Sequence, residues 1–186
     1  MIPTNLVTLK IIMKFKGMNS NRITVAPMTI DIEERSRRAR EIFHSGYNCC
    51  QAVALAFSDI TGLDEKTLAA ASSGFGGGFG RLREVCGCVS GMTLVAGFVS
   101  PATDPSDMEA RRANYALVQR LAEAFRSENG SIVCRELLGL AAGAKEGPAP
   151  SPRTPEYYKA RSCEDRVASA AGILATYLSE TSAAGN

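Results

Sequence analysis

From residue 29 onward, apolar positions recur at helical spacing, separated by short polar breaks rich in Gly, Ser, Asn and Pro. Asp31 to His44 predicts a first helix, acidic at its start and carrying Arg37, Arg38 and Arg40 later, as the helix dipole favours. Ser45-Gly46 closes it. Asn48 suits an N-cap, and Val53, Leu55, Ala56 and Phe57 make Cys49 to Asp59 a second helix, broken by Thr61-Gly62. Asp64 to Ser72 reads as a short third helix. The most apolar run extends from Cys86 to Val99. Its length favours a helix over the strand that its Val and Thr residues would suggest. On that helix Gly87 and Gly91 fall on one face, where a neighbouring backbone can approach closely. Ser106 to Ser127 is the longest helical stretch, stopped by Asn129-Gly130. Ser131 is expected to cap a short helix through Cys134 to Leu138, and Ser162 a last helix reaching about Leu178.

The fold class that follows is all-α, an irregular bundle of about six to seven helices. Residues 1–27 show no sustained period and are expected to be a flexible, disordered N-terminal extension. Residues 28–181 form the helical domain, and 182–186 a loose tail. Gly74 to Gly80 is too rich in glycine for a helix and reads as a tight turn that brings Cys86 near another segment. It lacks the Lys-Ser/Thr of a phosphate-binding loop. Gly139 to Pro155 reads as a surface loop.

Composition adds little to the fold and more to the chemistry. The chain has 186 residues, 45% apolar and 22% charged, enough for one domain with a hydrophobic core. A net charge of +2 gives no reason to expect nucleic acid as a partner. No run reaches the roughly 18 apolar residues of a membrane span. The apolar stretch near Leu6 is interrupted by Lys10 and Lys14 and lacks a signal-peptide cleavage pattern, so the expected compartment is the cytoplasm, where thiols stay reduced. The single histidine, His44, argues against a His-rich zinc site or a Ser-His-Asp triad.

Six cysteines remain: Cys49, Cys50, Cys86, Cys88, Cys134 and Cys163. A thiolate is stabilised at a helix start by free backbone N–H groups and the dipole's positive end. Cys49, Cys86, Cys134 and Cys163 all sit at or near predicted helix starts. Arg81 and Arg83 precede Cys86 and single it out as the expected attacking sulfur. There is no Cys-x-x-Cys, so neither a thioredoxin motif nor a zinc ribbon is supported. Cys86 and Cys88 would point to different sides of a helix and should not meet. Any working cluster must be assembled by the fold, and the spacing does not choose among the pairings. Any one cysteine taken alone reads better as a small buried hydrophobe, whereas four at helix starts together favour chemistry. His44 is a candidate base, although a surface role is the commoner one. Tyr157, Tyr158, Lys159 and Arg161 could line a site, but aromatic residues near a helix start usually pack on the core.

Three segments, Asn48-Cys49-Cys50-Gln51-Ala52-Val53, Ser73-Gly74-Phe75-Gly76-Gly77-Gly78 and Cys86-Gly87-Cys88-Val89-Ser90-Gly91, together resemble the C_GCAxxG_C_C family of redox-active proteins. Cys134-Arg135-Glu136-Leu137-Leu138-Gly139 and Cys163 supply its later cysteines. The resemblance covers roughly Ile30 to Leu178. It implies an all-helical redox domain with Cys49, Cys86, Cys134 and Cys163 as the site, supported by Cys88, Arg81, Arg83, Gly87 and Gly91. Cys88 departs from the motif, standing where Ala is expected. Cys50 is an additional thiol, and both extras are expected to fill space.

The leading expectation is thiol–disulfide or electron-transfer chemistry at the four cysteines, with an unnamed redox partner. The alternative is that the same four thiolates hold an iron–sulfur cluster, or less readily zinc. A further alternative is a helical interaction module with structural cysteines. A homo-oligomer is left open.

Overall fold

The computed structural model describes residues 8–9, 28–141, 143 and 146–184. Among these the expected all-α fold is present, with nine α-helices rather than six or seven. Extended pairing is limited to β1 (Thr8–Leu9) against β2 (Met28–Thr29) and a single bridge between Val85 and Val133. Apart from β1, the expected N-terminal extension lies outside the described residues. No helix among the described residues is long and apolar enough to cross a membrane.

The first helix, α1 (Ile32–His44), begins where Asp31 accepts from the Glu34 N–H at 3.0 Å. The second expected helix is split. α2 (Cys49–Leu55) stops, the chain leaves helical geometry at Phe57 (φ −123°, ψ 28°), and α3 (Ser58–Thr61) follows. The break is stabilised from outside the segment. Phe57 is fully buried, and Arg35 of α1 stacks on it while donating to the Ala56 carbonyl at 2.5 Å and to Asp59 at 2.6 Å.

α4 (Glu65–Ser72) is capped by Asp64 and runs into a 3-10 turn, Ser73–Phe75. α5 (Gly87–Val99) is the helix expected there. α6 (Met108–Asn129) starts two residues later than expected, because Asp107 caps it, and ends on the left-handed Gly130 (φ 86°). α7 (Cys134–Leu137) has Val133, not Ser131, at its cap; Ser131 Oγ accepts from the Val133 N–H instead. Within the region preceding Cys163, α8 (Pro155–Ala160) is a helix that the sequence does not announce, set by Thr154 and a first-turn proline. α9 (Cys163–Ala184) continues well past Leu178.

α1 lies along α9, and α5 packs against α2 and α6. The core they enclose includes Phe43, Phe57, Met92, Val95, Phe125, Val167 and Leu174, all fully buried. Each large side chain contributes about 1.5–3 kcal/mol by leaving water. Where this core ends, the N-terminal ends of α2, α5, α7 and α9 surround one small cavity.

Candidate functional site

Four helices present a cysteine to the cavity at or next to their first residue. Cys49 is the first residue of α2, Cys86 stands at the cap of α5 with Cys88 two residues on, Cys134 opens α7 and Cys163 opens α9. Five of the six cysteines therefore line a single space of about 60 Å³. Cys50 does not; it is wholly buried in the core behind α2. All six are free thiols.

Local chemistry explains how each start is held. Asn48 accepts from the Cys50 and Gln51 N–H groups at 3.0 Å each, and the Gln51 side chain accepts from the Asn48 N–H in return. The Asn48 amide also donates to the Ser73 carbonyl at 2.9 Å, which pins α2 to the start of the glycine loop. On the opposite side, residues 83–86 and 132–135 run side by side. Cys86 N–H donates to Ile132 at 2.8 Å and Cys134 N–H donates to Glu84 at 2.6 Å, so the α5 and α7 starts are tied together.

The glycines set the approach distances. A Cβ on Gly87 would overlap Cys49 Sγ and stand 3.1 Å from the Phe75 carbonyl. One on Gly91 would meet the Cys50 carbonyl at 2.9 Å and Val53 Cβ at 2.8 Å. The face expected for close approach is the face used. Gly78, left-handed at φ 69°, lets the glycine loop pass within 2.7 Å of Cys134 Cβ for any added methyl. That loop is thus the expected tight turn, and it reaches Cys49 and Cys134.

The Cys88 thiol shares the cavity with Cys49. Against the opposing effect of burial, and helped by nearby backbone N–H groups, it brings the Cys49 thiol down to about 6. Cys88 is pushed the other way, first by Cys49, then by Cys86, then by burial. Cys86 has non-helical torsions (φ −56°, ψ 133°), the distortion without which it and Cys88 would point to different sides, and both line the cavity. Burial raises Cys134 and Cys163 to about 11, and it also drives Cys50 up.

The arginines expected beside Cys86 are engaged elsewhere. Arg83, only 4% exposed, directs Nη1 at Cys134 Sγ (3.8 Å) and binds Glu146 through Nε at 2.8 Å. Arg81 pairs with the same carboxylate at 2.9 Å. Both residues have positive φ (71° and 62°). His44 is not on the cavity; it pairs with Glu164 at 3.0 Å and stacks on Tyr158. Tyr157 and Arg161 do line it, as do Arg153 and Arg166. Arg166 lies one helical turn after Cys163, a spacing that could have revealed it. Arg153 and Glu146 sit in an aperiodic segment that carries no such signal.

The donor set is chemically suited to iron or zinc, but its arrangement is not. Among the described residues no three His, Cys, Asp or Glu side chains are placed to hold a metal ion. The space is that of about two waters. The residues as arranged do not fit a metal ion or a cluster.

Residues 47–177 match the family model described as "Putative redox-active protein (C_GCAxxG_C_C)". No curated protein and no solved structure matches the chain.

Proposed function

The chain belongs to the C_GCAxxG_C_C family, and from that premise we propose that it carries out thiol–disulfide exchange with Cys49 as the attacking sulfur and Cys88 as the resolving one. The observation that carries this reading is that Cys88 shares one small cavity with Cys49 and lowers the Cys49 thiol to about 6. At neutral pH that sulfur is a thiolate, the nucleophilic form.

The Cys49 thiolate attacks one sulfur of a disulfide. A mixed disulfide forms, and the other half departs as a thiolate. Cys88 gives its proton to the departing sulfur and attacks Cys49 Sγ. The second half is expelled and a Cys49–Cys88 bond remains. The substrate gains two electrons and the protein loses two. Cys88 resists ionisation while a charged Cys49 faces it. Forming the mixed disulfide removes that charge, so resolution is favoured only after attack. Cys86, Cys134 and Cys163 border the same cavity and can pass the oxidation on.

A chromogenic disulfide added to anaerobically purified protein tests this. Wild type should release both chromophores quickly and yield a Cys49–Cys88 linked peptide. C88S should stop after the first, with the adduct on Cys49, and C49S should lose the fast phase. Survival of the fast phase in C49S, or iron and sulfide co-purifying in stoichiometric amounts, would overturn the reading.

A further inference from the structure

Four arginines line the cysteine cavity: Arg83, Arg153, Arg161 and Arg166. Among the described residues, no carboxylate lines it with them. Arg83 is answered by Glu146. Arg153 and Arg166 are not answered by any carboxylate among the described residues. Arg153 donates one nitrogen to the Tyr47 carbonyl at 3.1 Å and lies over the rings of Phe43 and Tyr157, at 4.4 and 4.7 Å. Arg166 donates one nitrogen to the Leu137 carbonyl at 2.7 Å. In each case the other terminal nitrogen, Nη1, is buried and has no hydrogen-bond partner. Buried guanidinium N–H groups are rarely left unmatched, because the desolvated charge goes uncompensated.

These two groups come from different parts of the chain, the segment before α8 and the first turn of α9. They are positioned by stacking and by carbonyl contacts, which leave one donor of each fork free. A guanidinium fork suits a carboxylate or other oxyanion. The available space, about 60 Å³, has room for one such group.

We propose that Arg153 and Arg166 form an anion-binding pocket that receives the carboxylate of a small disulfide or thiol substrate and sets its sulfur at Cys49. The substrate assignment rests on the thiol-exchange reading; the anion pocket does not. Arg161, over the Tyr157 ring at 5.1 Å, adds charge at the mouth.

Two measurements test it. Alkylation by iodoacetate and by neutral iodoacetamide compares probes that differ chiefly in a carboxylate. The rate ratio, iodoacetate over iodoacetamide, should be high in wild type, fall at least tenfold in R153M and R166M, and be unchanged in R40M, whose arginine lies away from the cavity. Acetate should compete with iodoacetate. Separately, acetate at constant ionic strength should raise the melting temperature of wild type and not of R153M or R166M, a readout that needs no reactive thiol and, in wild type, no variant. An unchanged ratio together with no acetate-specific thermal shift overturns the pocket. Rapid, charge-blind alkylation of Cys49 with no thermal shift would defeat the pocket alone. Inert Cys49 with an acetate shift would defeat the exchange reading and leave the pocket standing.

Discussion

Cys49 and Cys50 are consecutive and opposite in chemistry. The Cys88 thiol and nearby backbone N–H groups lower the Cys49 thiol, whereas burial disfavours the charge of Cys50. Native alkylation should therefore label Cys49 and spare Cys50. The pH dependence of Cys49 labelling should have a midpoint near 6, the rate rising with pH as thiolate forms. The largest of the lowering causes is the Cys88 thiol, so C88A should move the midpoint upward by about one unit or more, towards the ordinary 9.0. A midpoint unmoved in C88A would show that the backbone amides alone hold the thiolate. Cys88 matters at this scale because it departs from the family motif.

At the scale of elements, α2 and α5 approach through two glycines, while a third glycine of α5 plays no such part. Gly87 and Gly91 face the α2 backbone, but a Cβ on Gly97 would meet nothing within 4 Å. G91A should cost about 1–3 kcal/mol, the usual penalty of overpacking. G97A should stabilise by about 0.5–1 kcal/mol, the helical preference of Ala over Gly. G87A should be worse than its stability cost suggests, because the displaced atom is Cys49 Sγ; its labelling midpoint should rise. Urea denaturation of the three variants, read beside the labelling titration, separates packing from chemistry. Equal stability for G91A and G97A would contradict the close approach. Asn48 was legible as a cap, and Asp31 and Asp64, read as the first residues of their helices, stand one place before them as caps. The split after Leu55 was not legible, since it depends on Arg35 reaching across from α1 to the Ala56 carbonyl.

Across the whole molecule, burying several thiols in one place makes stability depend on alkaline pH. Burial holds Cys134 and Cys163 at about 11, against 9.0 ordinarily. The unfolded chain releases these protons first, so their contribution is complete below about 9 and is lost as pH rises through about 11. Cys49 acts in the opposite sense. Its depressed value adds stability that is complete above 9.0 and is lost as pH falls through about 6. Thermal melts under reducing conditions should thus decline between about pH 9 and 11, and the decline should shrink in the C134S/C163S double variant. A decline of the same size in that variant would place its origin outside these thiols.

Local features, which the sequence states outright, determined the helical class, the Asn48 cap, the placing of Cys49, Cys86, Cys134 and Cys163 at helix starts, and the close-contact face of Gly87 and Gly91. Each depends on residues a few positions apart, where backbone hydrogen bonding and side-chain period act directly. Tertiary structure alone decided that Cys88 shares the cavity with Cys49, that Arg81 and Arg83 pair with Glu146, and that Arg153 and Arg166 join Arg83 around the cavity. Acidity at a thiol is set by which donors and charges lie within a few ångströms, and here those come from segments up to a hundred residues apart, brought together only by the packing of α2, α5, α7 and α9.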